Sequence, residues 1–368
     1  MRGFRHLSAL ILLLLLLSPS CGEKGGVNRE TIPLVSRILE DRDCEEAGLI
    51  EYASDFSRDA DIYLLGKSYF CNGFAERFIN YDEKDNVDAS AAEDMLPDFA
   101  GETLVCISTE NPFGKTRPSN NEEYSRDFTV RLVLSALDTV SHISPYDLDG
   151  LKHKNTAKII IFGDPATAEY GLFDADTLLR RKSCNIPLVS PVDMMLEKVF
   201  TSKAGKAVNV GILADLDQCD ASVYAQRFRA KAAECNAGGS KCVIFPTHNK
   251  DSLLHRLLDS YSAGNEKPLD AVLVDDISLD IRTLKFELAD LLSILNESSM
   301  TYGRMIADNF LLLDSFNTVA DFLYSYLRSN NLFTHNISKP QVVTYLPIPK
   351  PETEDGSIIL IPSSYVQN

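Results

Sequence analysis

Two apolar runs in this chain end in paired carboxylates. VGILADLD (210–217) closes on Asp215 and Asp217, and AVLVDD (271–276) closes on Asp275 and Asp276. Other acidic residues follow shorter apolar runs: Asp164 after KIIIFG (158–163), with Thr167 three places on, Asp193 after IPLVSPV (186–192), and Asp308 within RMIADN (304–309). Carboxylates gathered in one place hold positive charge or hydroxyl donors, so a site built from these residues takes a cationic, metal-bearing or hydroxyl-rich ligand. Their hard oxygen atoms suit magnesium. At any single position the plainer role is the favoured one, because Asp ends strands and caps helices as a matter of course.

Other chemistries find no setting. There is no Gly-x-Ser-x-Gly elbow, no HExxH and no CxxC pair, so neither a nucleophile nor a zinc site is expected. GDPATAEYG (163–171) lacks the Lys-Ser/Thr of a phosphate loop and the spacing of a dinucleotide fingerprint, so no cofactor is expected. Fifty-three acidic against 36 basic side chains give a net charge of −17, which excludes a nucleic-acid partner, since phosphates need clustered Lys and Arg. The absence of Trp counts against a dedicated sugar binder.

What must position the carboxylates is an alternation of strands and helices. After a mainly helical stretch (29–60) come the short apolar runs DIYLLG (61–66) and TLVCIS (103–108), divided by an acidic loop (80–100). Residues 126–142 read as a helix. From residue 158 the pattern is regular: KIIIFGD, a helix at 173–182, IPLVSP, then AVNVGILAD (207–215), a helix at 221–236, KCVIFP (241–246), a helix at 251–262, and LDAVLVDD (269–276). Helices over 282–296 and 317–329 and strands QVVTYLPIP (341–349) and SIILIP (357–362) complete the chain. Continuous β-branched runs separated by amphipathic helices are the mark of βαβ units and a parallel sheet buried on both faces. By the rule for open sheets, the ligand cleft lies beyond the carboxyl ends of these strands, where the segment Ser108 to Asn111 also falls.

The first residues, MRGFRHLSALILLLLLLSPSC, place Arg2 and Arg5 before an apolar stretch from Leu7 to Leu17 and then Ser18-Pro19-Ser20. This is the layout of a secretory signal, too short to span a bilayer. With Cys21 at the cleavage point, residues 1–20 resemble a bacterial lipoprotein signal. The resemblance implies acylation of Cys21, with palmitate among the chains, and a tether over 21–28. It also implies a membrane anchor in the cell envelope, on the outer membrane because Gly22 is not Asp. A plain signal-peptidase cut is the alternative. Loss of Arg2 and Arg5 makes the mature chain more acidic still. Seven cysteines follow Cys21, an odd number. Cys235 and Cys242 flank NAGGSK and either form a disulfide or remain two thiols.

IPLVSPVD (186–193), VNVGILADLDQCDASVYAQRFRAKAAE (208–234), LDAVLVDD (269–276) and YGRMIADN (302–309) together resemble a type I periplasmic binding protein. That resemblance implies an α/β fold of two doubly wound parallel-sheet domains with a cleft between them. The domains would be an N-terminal one (29–195) and a C-terminal one (205–335), with strands in 336–368 crossing back or packing on them. Its function would be non-enzymatic binding of a small molecule or an envelope protein. Two alternatives stand beside it. Asp215, Asp217, Thr247, Lys250 and the pair Asp275–Asp276 also resemble the set of a haloacid-dehalogenase-like phosphohydrolase, which implies Asp215 as nucleophile, Asp217 as acid/base and magnesium on the later pair. The other alternative is an assembly lipoprotein of the envelope that binds no ligand.

Overall fold

The runs IYLLG, LVCIS and KIIIF are short, apolar and rich in β-branched residues, and they pair side by side as the centre of a parallel sheet. The computed structural model describes residues 29–110, 122–262, 267–293, 302–351, 353 and 356–365. The first sheet contains β1 (Asp61–Gly66), β2 (Thr103–Ser108), β5 (Ala157–Phe162) and β6 (Leu188–Val189). It is extended by β11 (Gln341–Pro349), parallel to β2, and β12 (Ile358–Pro362), antiparallel to β11, in the order β12-β11-β2-β1-β5-β6. The second sheet, all parallel, runs β10-β9-β7-β8 with β7 (Asn209–Ala214), β8 (Lys241–Pro246), β9 (Leu269–Asp275) and β10 (Ile306–Asp314). The chain is thus an α/β protein whose two large sheets are parallel apart from the edge strand β12.

Ten helices among the described residues cover these sheets: α1 (Pro33–Glu40), α2 (Glu45–Ala53), α3 (Ser68–Ile79), α4 (Glu122–Leu137), α5 (Pro165–Arg181), α6 (Pro191–Ser202), α7 (Ala221–Glu234), α8 (Leu253–Ser262), α9 (Ile281–Leu291) and α10 (Ser315–Ser329). Alternation along each strand sends side chains to two cores. On the first sheet, Tyr63, Leu65, Val105, Ile160 and Phe162 meet α1, α2, α4 and α5, while Ile62, Leu64, Cys106 and Ile161 meet α3 and α10. On the second, Val210, Ile212, Ala271 and Leu273 meet α6 and α7, and Leu213, Val272 and Val274 meet α8 and α9. The two lobes exchange helices. α6 leaves the first sheet at β6 but packs on the second, and α10 leaves the second at β10 but packs on the first.

Where a helix was expected over 126–142, α4 ends at Leu137 and the chain turns into a hairpin of β3 (Val140–Ser144) and β4 (Asp147–His153). Alternating polar residues in VSHIS and DLDGLKH form this arm, which leaves Ile143, Tyr146 and Leu151 exposed.

A buried ion pair ties the amino-terminal side of the first sheet together. Lys158 Nζ on β5 lies 2.6 Å from Glu102 Oε2, and both side chains are almost wholly buried. The same ammonium donates to the carbonyls of Arg58 (2.9 Å) and Leu332 (3.0 Å), and Glu102 Oε1 accepts the Thr334 amide at 2.8 Å. Burial pushes the Glu102 carboxyl up, while the Lys158 charge pulls it down.

α4 and α5 approach closely at Gly171, where a Cβ would lie 2.0 Å from Thr129 Cγ2. Gly171→Ala should therefore wedge the two helices apart and cost about 1–3 kcal/mol despite the better helix propensity of Ala. Urea denaturation would check this; a stabilised variant would contradict the packing.

Candidate functional site

Both sheets change direction at their centres. In the first, β2 lies on one side of β1 and β5 on the other; in the second, β8 and β9 flank β7 in the same way. Such switch points leave a crevice beyond the carboxyl ends of the central strands. Lys67 follows β1, Ser68 and Tyr69 open α3, and Asp164 follows β5, while the segment after β7 supplies Asp215 to Cys219 and the end of β9 with its following loop supplies Asp275 to Ser278. The two crevices face each other, for Lys67 Nζ donates to the Gln218 carbonyl across the gap.

Register places the carboxylates. Ala214 is opposite Asp275, which sets Asp215 beside Asp276 at adjoining strand ends. Leu65 is opposite Phe162, which sets Lys67 beside Asp164. Asp164, Asp215, Asp275 and Asp276 all act on one group, the half-buried Tyr69 hydroxyl. Burial first, then these four charges, push it far above its ordinary range, so it stays a neutral donor. A groove of about 900 Å³ opens beside Tyr69 between α3, α9 and α10.

Within this cluster the carboxylates have different duties. Asp164 caps α5: its Oδ1 accepts the Thr167 amide and its Oδ2 the Thr167 hydroxyl, both at 2.8 Å. Asp276 takes the Thr247 hydroxyl at 2.5 Å on Oδ2, and the Ser278 amide (2.9 Å) and hydroxyl (2.5 Å) on Oδ1. Asp215 Oδ1 accepts the Asp217 amide at 3.1 Å.

Asp275 is different. Its Oδ2 accepts the Tyr224 hydroxyl at 2.8 Å, while its Oδ1 is buried and accepts no hydrogen bond among the described residues. The neighbouring Ser315 hydroxyl donates to the Val274 carbonyl at 3.3 Å and also lies close enough to the Asp275 carboxylate to favour its charged form. Burial pushes the Asp275 carboxyl up to about 6; the charges of Asp164 and Asp276 act the same way, and the hydroxyls of Tyr224 and Ser315 pull against them. The nearby Cys219 thiol is raised to about 12 by burial and by Asp164 and Asp275, so it is no thiolate nucleophile.

The remaining expected residues lie elsewhere. Asp217 is exposed beyond the Asp215 turn. Asp193, in the first turn of α6, holds Arg227 (Oδ1–Nε 2.8 Å), which also reaches Glu169 on α5 at 3.1 Å, so it fastens α5, α6 and α7 together. Asp308 was expected at a strand end, but it is exposed within the bulged part of β10. That strand runs on to Asp314, which caps α10 through the Asn317 amide (3.0 Å) and pairs with Arg77 on α3 (3.0 Å). No disulfide joins Cys235, at the end of α7, to Cys242 on β8. Cys21 lies outside the described residues. Among the described residues no group of three or more metal-ligating side chains is arranged to hold a metal ion. None of Lys67, Tyr69 and Tyr224 stood out in the sequence; the first two follow β1 and the third lies within α7, with no spacing signal, and only the fold brings them to the carboxylates.

No family model matches the chain, and no curated protein does. Solved structures do. A glutamate racemase from Francisella tularensis, in complex with D-glutamate, is 12% identical with a TM-score of 0.44, over 84% of this chain and 95% of that one. A glutamate racemase isoform from Bacillus anthracis is 10% identical with a TM-score of 0.44, over 78% and 89%. An aspartate racemase homologue from Pyrococcus horikoshii is 14% identical with a TM-score of 0.36, over 72% and 99%.

These findings correct the expected resemblance. The neighbours named are racemases, and none is a type I periplasmic binding protein or a lipoprotein, so the non-enzymatic lipoprotein binder of that resemblance is not carried further. The two alternatives go with it, the assembly lipoprotein and the phosphohydrolase. The geometry agrees for the latter: Asp276 is saturated by Thr247 and Ser278, and Asp217 is exposed, so neither the magnesium pair nor the acid/base of that scheme is in place.

Proposed function

We propose that this protein is an enzyme that moves a proton to and from a small polar molecule held between the two lobes, with Asp275 as the group that carries the proton. One observation carries the reading. Asp275 is buried at a strand end, fixed through one oxygen by Tyr224 and without a geometric hydrogen-bond partner on the other among the described residues, with its carboxyl raised to about 6. A general base works best when its affinity for the proton is close to the working pH, and this carboxylate meets that need. Tyr224 orients the carboxylate, and Tyr69, kept neutral, donates to oxygen on the substrate as charge develops there.

The reaction class can be tested without knowing the substrate. The protein is incubated in D₂O with separate amino acids, amino amides, hydroxy acids and keto acids, and loss of carbon-bound hydrogen is read by proton NMR. Exchange is expected for at least one compound and should vanish in Asp275→Asn. Exchange that persists in that variant, or none across the panel, would overturn the assignment.

A further inference from the structure

We propose that Lys154 is a reactive amine that captures a small uncharged aldehyde, in a cavity at the end of the first sheet opposite the cleft. The cavity has a volume of about 460 Å³ and lies between the end of α2, the turn before β1 and the connection from β4 to β5. Lys154 lines it and is only 6% exposed. Hydrogen bonds decide which form of its nitrogen the site favours. Nζ donates to the Asp138 carbonyl and, at 3.1 Å, to the Tyr63 hydroxyl oxygen. Tyr63 can only accept there, because its own proton goes to the Asn155 carbonyl at 2.6 Å. Two hydrogens therefore satisfy both acceptors, and the third position of Nζ has no hydrogen-bond partner among the described residues. The Tyr63 ring, centred 5.1 Å from Nζ, steadies a charge without supplying that partner. As an ammonium, Lys154 buries an N–H with no acceptor; as an amine it keeps both bonds and holds a lone pair in that position. Burial pulls the group down to about 8, against the charges of Asp138 and Asp61, which act to hold it up. A lysine in such a setting is a nucleophile near neutral pH.

The lining selects the electrophile. Glu51, Asp55 and Asp59 are exposed around the cavity, and Tyr52 and Phe56 offer ring surface beside them. A carbamate made from carbon dioxide would set a new anion among these carboxylates, whereas the iminium made from an aldehyde keeps the charge positive. In that step the Nζ lone pair bonds to the carbonyl carbon and the carbonyl electron pair moves to oxygen. One Nζ hydrogen and one proton from solvent leave with that oxygen as water, and a carbon–nitrogen double bond remains. The iminium keeps its last hydrogen for the Asp138 carbonyl. No oxidant or reductant is consumed, and water reverses the reaction. An aldehyde with an apolar body suits the rings of Tyr52 and Phe56; one that carries a carboxylate meets the acidic rim. His153, the other basic side chain lining the cavity, forms no imine.

Treating the whole protein at pH 7.5 with benzaldehyde or, separately, with glyoxylate tests this, with the imines fixed by cyanoborohydride and every lysine followed by peptide mass spectrometry. With benzaldehyde, Lys154 is expected to react at least about tenfold faster than the exposed Lys206 and Lys241, and to lose that lead in urea. With glyoxylate, the lead of Lys154 over the same two lysines should shrink at least about tenfold. A rate at Lys154 no greater than at the exposed lysines, or a lead that survives unfolding, would overturn the proposal. A lead as large with glyoxylate as with benzaldehyde would overturn the choice of an uncharged aldehyde.

Discussion

Asp275→Asn is expected to lose about 10²–10⁴-fold in proton exchange and, at the same time, to make the protein harder to unfold at neutral pH. The two effects share one cause. The Asp275 carboxyl titrates at about 6 in the folded protein against an ordinary 3.8, because burial and the facing charges of Asp164 and Asp276 outweigh the hydroxyls of Tyr224 and Ser315. The folded chain therefore holds this proton more tightly than the unfolded chain. Its contribution to stability is fully present below about pH 4 and is lost as the pH rises through about 6. At pH 7.5 the wild type carries a destabilising charge that the amide lacks. The rise from 3.8 to about 6 corresponds to a ceiling of roughly 3 kcal/mol. Thermal melts should show the variant ahead at pH 7.5 and the two proteins level near pH 4. Equal melting at both values would mean that the carboxyl is not buried as described. Activity against pH should rise through an acidic limb near 6, and Tyr224→Phe, which removes a bond favouring the anion, should move that limb upward.

Lys158→Met should be the most damaging single change outside the cleft, at about 3–5 kcal/mol by urea denaturation. It leaves Glu102 charged and buried with no cation, and it strips a donor from the carbonyls of Arg58 and Leu332. Pairing it with Glu102→Leu should recover part of the loss, since the uncompensated charge goes but the two carbonyls stay without their donor. A single-variant cost below about 1 kcal/mol would show that the pair contributes little to this lobe.

The parallel strands were readable because burial on both faces demands an unbroken apolar run, and KIIIF, NVGILA and LDAVLVD have no other use for one. The β3–β4 arm was hidden because VSHIS alternates polar and apolar residues beside a helix whose periodicity runs into it. Asp164, Asp215 and Asp275 were legible as strand-end carboxylates, yet their separate duties were not. Whether an Asp caps a helix, as Asp164 does, or is buried with one oxygen lacking a partner, as Asp275 is, depends on the amides and hydroxyls that the folded chain brings to it. Tyr224 is one aromatic residue among many on an amphipathic helix until the fold sets its hydroxyl against Asp275. Asp308 misled for a local reason: the bulge in β10 adds residues ahead of the paired stretch, so the strand ends six places later at Asp314.

The exchange of α6 and α10 between the lobes also ties them together twice, one crossing leaving the first sheet at Ser190 and the other returning to it at Ser315. For the same reason neither lobe can melt without pulling a helix off the other, so heat or urea should take both down in a single transition.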